Sequence, residues 1–186
     1  MRVKTWLLLL MCVALPVLGA DSGQDLSVLK PMVGKWEGTG KGFGGSSTVN
    51  RIYRPMMDHT FLMSRTQAAF APTEKKPEGD RHEDVGVFSY DKPAGRVMYR
   101  EFNSEGFVNT YELKSVSEDG RTFVFETVSV EGLADGWRAR LTIVCRDRDH
   151  MDETFELAGP GKEFSACGTN TFVRVKREKV AAASGE

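Results

Sequence analysis

Hydrophobic and polar positions alternate along most of the chain after residue 30. Short segments of this kind, rich in Val, Phe, Tyr and Thr, predict strands that turn one face to a core. The predicted strands are Val33–Lys41, Thr48–Arg54, Thr60–Phe70, Asp84–Tyr90, Arg96–Asn103, Phe107–Ser115, Thr122–Val130, Trp137–Arg146, His150–Leu157 and Thr169–Arg177. One helical turn, Gln24–Lys30, precedes them and is ended by Pro31.

The segments between these strands are short and contain Gly, Pro, Asp or Ser, which are typical of turns. Short connections favour antiparallel neighbours, and a sheet of about ten strands must close or stack to protect its edges. We therefore predict an all-β fold, an antiparallel up-and-down closed barrel with a short N-terminal helix. A two-sheet sandwich is the alternative. The one long charged loop is predicted over Thr73–Arg81.

The first twenty residues have the pattern of a cleavable signal peptide. Arg2 and Lys4 are followed by an apolar run from Trp6 to Leu15, then by Pro16 and small residues up to Ala20. The run is shorter than the roughly 20 residues of a membrane-spanning helix, so a stable membrane anchor is not expected. We predict a signal peptide over 1–20, a barrel domain over 21–178, a disordered tail over 179–186, and a periplasmic or secreted location.

Charge and cysteine content narrow the set of partners. The chain of 186 residues has a formal net charge of −1, and loss of Arg2 and Lys4 makes the remainder more acidic. A nucleic acid is therefore not an expected partner. After cleavage Cys145 and Cys167 remain. Because another strand lies between theirs, we favour two buried free thiols over a disulfide. No spacing typical of a metal site is present.

The start of the predicted barrel carries its most informative residues. Gly34 lets the chain pass close to the barrel end, and Trp36 fills that end with a large apolar ring. Arg174 or Arg177 on the last strand can place a guanidinium over this ring and so join the first strand to the last. These three features, Gly34, Trp36 and a terminal Arg, are the predicted structural closure.

Three stretches carry a family resemblance: Leu29–Gly40, Gly86–Asp91, and Pro160–Phe164 with Arg174. Together they resemble the calycin superfamily, which includes lipocalins, fatty-acid-binding proteins and exported bacterial lipocalin-like proteins. A more distant resemblance is to nitrobindin-type haem β-barrels. The resemblance implies a barrel with an interior that holds a small ligand.

Several predicted strands mix aromatic and charged or amide side chains on one face, as a pocket with a polar end requires. The guanidinium of an arginine can donate two parallel hydrogen bonds to a carboxylate, and a nearby tyrosine hydroxyl can donate a further one. The alternative is that the arginines face outward and keep the barrel soluble. The predicted ligand-binding residues are Tyr53, Arg65, His82, Arg100, Phe102, Asn109, Tyr111 and Arg140.

The nitrobindin resemblance implies haem as a cofactor, held in that family by a histidine on a late strand. The last predicted strand has no histidine, so the axial ligand would have to be His150, Tyr53, Tyr111 or a Met. His82 precedes a Glu and lies near Gly86, in a stretch similar to one in that family. Haem therefore stands as an alternative ligand.

The sequence favours a binding protein for a small apolar or amphipathic molecule. Besides haem, a second alternative is an envelope interaction module with a filled barrel, which would use Phe43 and the loop Pro72–Arg81 as its contact surface. Catalysis is left open. His82 with Glu83, or Glu101 with Glu105, offers an acid and a base, but no recognisable motif supplies a nucleophile.

Overall fold

The computed structural model describes residues 25–42 and 45–176. The predicted signal peptide, the tail 179–186, Phe43 and Arg177 lie outside the described residues, so the predictions about them stay predictions. Within the described ranges no helix is long and apolar enough to cross a membrane.

The chain forms a closed barrel of ten antiparallel strands, which confirms the predicted fold class. Each strand pairs with its neighbours in the sequence, and β1 pairs with β10 to complete the ring. The strands are β1 Gly34–Gly42, β2 Gly45–Met56, β3 Phe61–Phe70, β4 Asp80–Asp91, β5 Arg96–Asn103, β6 Val108–Val116, β7 Thr122–Glu131, β8 Arg138–Cys145, β9 His150–Ala158 and β10 Ser165–Arg174.

Two strands, β4 and β10, begin four residues earlier than the sequence predicted. β4 starts at Asp80 rather than Asp84, because its first residues pair with the end of β3 around Phe70. β10 starts at Ser165 rather than Thr169, with an irregularity in register between Ala166 and Gly168. In both segments polar residues obscure the alternating pattern that predicts a strand. Pairing with a neighbouring strand decides their conformation instead.

The N-terminal helix is a 3₁₀ helix over Leu26–Met32 and includes Pro31, which was expected to end it. The side chain of Asp25 caps it by accepting a hydrogen bond from the amide of Ser27 at 2.8 Å. Leu29 and Met32 are fully buried against one end of the barrel. The helix therefore closes that end, which we call the closed end.

The closure residues meet at the closed end. Trp36 is fully buried, and its indole N–H donates to the carbonyl of Met32 at 2.8 Å. The guanidinium of Arg174 lies 4.0 Å from the centroid of the Trp36 ring and donates to the carbonyl of Pro31. Gly34 has a φ of 141°, and a side chain there would collide with Arg174. First strand, last strand and helix are thus joined by one cluster.

Candidate functional site

The opposite half of the barrel contains a cavity of about 910 Å³ that opens at the other end. The strand directions place there the connections after β3, β5, β7 and β9, together with the start of β10. We call this the open end. A volume of this size lies within the range of small-molecule sites. The barrel is therefore filled in one half and hollow in the other.

The wall of the cavity is largely apolar. The aliphatic and aromatic side chains that line it come from five of the strands and from two connections. They are Val49, Ala68, Phe70, Phe107, Val130, Leu133, Trp137, Leu141, Phe155 and Leu157. Such a wall favours a ligand with a substantial apolar part, because burying apolar surface supplies the binding energy.

A buried ion pair forms part of the cavity floor. Arg51 on β2 and Glu153 on β9 face each other across the barrel, and both Nη atoms of Arg51 donate to the Glu153 carboxylate. Nε of Arg51 donates to Oγ1 of Thr66 at 2.8 Å, and Nη1 donates to the hydroxyl of Tyr53 at 3.2 Å. Asn170 donates a further hydrogen bond to Glu153 at 2.8 Å. The charges are paired and hydrogen-bonded, as burial requires.

Beside the ion pair lies a network built on Glu101. The hydroxyl of Tyr99 donates to Oε1 of Glu101 at 2.7 Å, and the hydroxyl of Tyr111 approaches Oε2 at 3.5 Å. Asn109 donates to the Tyr111 hydroxyl at 3.0 Å. Burial, followed by the negative charge of Asp84, raises the pKa of Glu101 to about 8. Glu101 is therefore a neutral acid at pH 7.

The tyrosines beneath the floor keep their protons. Burial raises the pKa of Tyr99 and Tyr111 well above the ordinary value, and it also raises the pKa of Tyr53. The rings of Tyr99 and Phe88 stack with centroids 3.9 Å apart. Gly86 leaves the space that the Tyr99 ring occupies, since a side chain there would meet that ring. The hydroxyls of Tyr99 and Tyr111 are thus fixed donors to Glu101 at the base of the cavity, whereas that of Tyr53 accepts from Arg51.

Towards the opening, His82 lies between two carboxylates. Its Nε2 is 2.8 Å from Oδ1 of Asp84, and its Nδ1 contacts Glu105. Asp84, and after it Glu105, raises the pKa of His82 to about 9, so the imidazole is a cation at neutral pH. Oδ1 of Asp84 is buried and accepts no well-directed hydrogen bond. The three side chains are also close enough for one divalent cation, but His82 then has to lose its proton.

The structure brings half of the predicted ligand-binding residues together. Asn109 lies on the cavity floor and His82 lines the wall, while Tyr53 and Tyr111 are buried just below and hydrogen-bonded to floor residues. The polar residues that line the cavity floor but were not predicted from the sequence as binding residues are Arg51, Thr66, Asp84, Glu101 and Glu153. Glu101 was considered there only as an acid or base. Side chains alternate between the two faces of a strand, so these residues could have been identified if the inward face of each strand had been known. A single sequence does not establish which face is inward.

The other four predicted residues are on the outer surface, so the interior position expected for them is wrong. Arg65, Arg100 and Arg140 form ion pairs with Glu83, Glu131 and Glu126 of neighbouring strands. Phe102 is 46% exposed beside Arg100. The pleat turns Tyr99 and Glu101 inward on β5, and therefore turns Arg100 and Phe102 outward. The interior guanidinium is that of Arg51.

Cys145 and Cys167 are free thiols, as predicted. Cys145 is buried at the closed end of β8, and burial raises its pKa to about 11. Cys167 lies at the open end of β10 and is only half-buried, which corrects the prediction of burial. Cys145 is the last residue of β8, at the closed end, whereas Cys167 lies near the start of β10, at the open end, so the two sulfurs do not meet.

The axial haem ligands considered from the sequence are not placed to hold the iron: no methionine is among the described residues that line the cavity, and the histidines and tyrosines are engaged elsewhere. His150 is exposed at the closed end and bonded to Asp147, away from the cavity. Among the described residues that line the cavity, His82 is the one histidine, and both its nitrogens contact carboxylates. Tyr53 and Tyr111 direct their hydroxyls into the floor network. No side chain of this set is free to bind an iron atom.

Comparisons with known proteins show the same architecture. No family model matches the chain, and no curated protein matches it. Among solved structures it is similar to Rv2717c from M. tuberculosis, with a TM-score of 0.59 and 18% identity over 81% of this chain and 97% of that one. It is also similar to the S-type phycobiliprotein lyase CPES from Guillardia theta, with a TM-score of 0.51 and 15% identity over 84% of this chain and 96% of that one. These similarities and the closed ten-strand barrel confirm a calycin-like fold.

Proposed function

We propose that this chain is an exported binding protein that holds one small apolar or amphipathic molecule in the open half of the barrel. The observation that supports it most is the cavity of about 910 Å³, with an apolar wall above a polar floor. The calycin-like fold is consistent with such a role, since barrels of this size leave an interior wide enough for one ligand.

Blocking the cavity tests the proposal. Ala68 faces the cavity on β3, whereas its neighbour Ala69 is exposed on the outer surface. We expect native mass spectrometry of the protein purified from its own host to show a bound small molecule. Ala68→Trp should abolish that added mass, and Ala69→Trp, the matched control, should retain it. Absence of any added mass, together with no binding of amphipathic probes, would contradict the proposal.

Export is the second part of the proposal and has its own test. The order of Arg2, Lys4, an apolar run and small residues up to Ala20 supports cleavage before Asp21. Intact-mass measurement of the protein from the host envelope fraction and from the medium should show a chain that begins at Asp21. A full-length chain that begins at Met1 and stays in the cytoplasm would contradict it.

A second candidate function is acid–base chemistry on the bound molecule. One observation favours it: three titratable groups converge on the cavity, the neutral acid Glu101, the carboxylate Asp84 and the cation His82. Incubation of the host-derived molecule with the protein should then change its mass. Glu101→Gln should still bind the molecule but leave its mass unchanged.

The interaction module with a filled barrel is not favoured. That alternative requires side chains to occupy the interior, and the open half is hollow instead. Its proposed contact residue Phe43 lies outside the described residues. The loop from Pro72 to Asp80 is polar and is braced by an ion pair between Lys76 and Asp80, without a contiguous apolar patch.

A further inference from the structure

The floor of the cavity carries more acids than bases. Three carboxyl groups line it, those of Asp84, Glu101 and Glu153, against one guanidinium, that of Arg51. Arg51 balances Glu153 alone. Glu101 carries a proton at neutral pH, and Asp84 shares the cation of His82 with Glu105, so the excess negative charge lies at Asp84 and Glu105. In a site shielded from water, such an excess selects the charge of whatever binds there.

Most of the charged and amide nitrogen donors of the floor already have acceptors. Arg51 directs four of its five N–H groups to Thr66, Tyr53 and Glu153. Asn109 donates to the hydroxyl of Tyr111, and Asn170 donates to Glu153. A carboxylate at the floor would find few free donors and would face the carboxyl groups there, whereas Lys41, Arg81 and Arg138 lie near the opening. Arg65, Arg100 and Arg140, which were expected to bind the carboxylate, are therefore not at the floor, where the guanidinium is that of Arg51.

The acceptors of the floor are not used to the same extent. Oδ1 of Asp84 is buried and lacks a well-directed hydrogen bond, although His82 is nearby. Oε2 of Glu101 has only the long contact of 3.5 Å with Tyr111. Asp84 and Glu101 lie on neighbouring strands, both turned into the cavity, and Asp84 is 9% exposed. A buried acceptor whose nearby donor, His82, is poorly aligned with it costs free energy that a suitable ligand recovers.

We propose that the polar end of the ligand is a cation of the protonated-amine class, which donates to Asp84 and Glu101 while its apolar part lies along the cavity wall. This inference rests on the proposed function, since it names the class of molecule that the same cavity takes. Charge-assisted N–H···O bonds to a carboxylate supply the selectivity. Lys41, Arg81 and Arg138 near the opening repel a cation there, so they favour the orientation with the amine at the floor.

Matched amphiphiles with one chain length test the inference. Octylamine, octanol and octanoate differ in the charge of the head group and share their apolar part. We expect titration calorimetry with the mature chain to show octylamine binding at least about tenfold more tightly than octanol, with octanoate weakest. Ala68→Trp should weaken all three, which places them in the cavity.

Two variants assign the preference to the floor carboxyls. Asp84→Asn should lower octylamine affinity to about that of octanol and leave octanol binding unchanged. Glu101→Gln should cause a smaller loss, because Glu101 already carries a proton at neutral pH. Glu83→Gln is the matched control: Glu83 is next to Asp84 on β4, faces outward and pairs with Arg65. Circular dichroism checks that each variant folds.

The outcomes separate the two claims. Equal binding of octylamine and octanol, or a preference for octanoate, would overturn the amine inference and leave the binding protein intact. An amine preference that survives both Asp84→Asn and Glu101→Gln would also overturn it. Failure of all three compounds to bind would count against the proposed function itself.

Discussion

The two halves of this barrel are built from the same strands and differ in what those strands turn inward. On β5 the inward residues run from Val97 and Tyr99 at the closed end to Glu101 at the floor of the cavity. On β2 they run from Tyr53 through Arg51 to Val49. Large rings fill the closed half and are stacked or hydrogen-bonded, whereas the open half has polar groups below smaller apolar side chains.

This difference shows how one alternating pattern serves two purposes. The closed half joins helix, first strand and last strand around Trp36, and it supplies the packing that stabilises the barrel. The open half carries buried polar groups whose burial costs free energy unless each is paired. The stabilising packing and the cavity are thus located at opposite ends, and substitutions can address each separately.

The largest effect is expected at the closed end. Trp36→Ala removes the ring that packs beneath Arg174 and should lower the free energy of unfolding by about 3–5 kcal/mol. Trp137→Ala at the half-exposed rim of the cavity should cost less than about 1 kcal/mol. Denaturant unfolding measures both. Trp36→Phe keeps an aromatic ring and provides a folded variant if Trp36→Ala does not fold. Equal losses at the two tryptophans would contradict the division of roles.

The next effect concerns the ion pair at the border of the two halves. Glu153→Gln leaves the buried guanidinium of Arg51 without its counter-charge and should cost about 3 kcal/mol or more. The double variant Arg51→Met with Glu153→Met removes both charges and should recover much of that loss. Denaturant unfolding of the single and double variants gives the comparison. A double variant less stable than Glu153→Gln would show that the polar contacts themselves stabilise the floor.

The fold followed from the sequence, whereas the site followed only in part. Turn residues and alternation predict ten strands, and Gly34 with Trp36 indicates where the ring closes. Alternation alone does not say which face is inside when both faces carry an aromatic and a charged residue. On β5 the choice between Tyr99 with Glu101 and Arg100 with Phe102 depended on pairing and on space at Gly86. A shift of the strand register by one residue would turn the other face of the strand inward and would change every residue that it contributes to the cavity.

Stability should fall as pH rises. The pKa of Glu101 is raised to about 8 from 4.5, and that of His82 to about 9 from 6.5. In both cases the folded state binds its proton more tightly than the unfolded state does. For each group, the stabilisation is therefore complete below the pKa of the unfolded state and is lost as the pH rises through the pKa of the folded state. The free energy of unfolding falls by up to about 1.4 kcal/mol per pH unit for each group.

Unfolding by urea at several pH values between about 5 and 9 measures this loss. Glu101→Gln should flatten the profile between 4.5 and about 8, and His82→Gln should flatten it between 6.5 and about 9. Glu126→Gln on the outer surface, whose carboxylate pairs with Arg140, should leave the profile unchanged. A wild-type stability that rises through this window would contradict the assignment of neutral Glu101 and cationic His82.

The smallest effects are expected for the outward arginines. Arg65→Ala, Arg100→Ala and Arg140→Ala each remove an exposed or half-exposed ion pair, so each should cost at most about 1 kcal/mol, and less at high salt. Arg140 should show the largest of the three because it also lies 3.9 Å from the centroid of the Phe164 ring. None should change the binding of octylamine by more than about twofold. If substitution of an outward arginine weakened binding tenfold while Ala68→Trp did not, the ligand would lie on the outer face. The assignment of binding to the open half of the barrel would then be wrong.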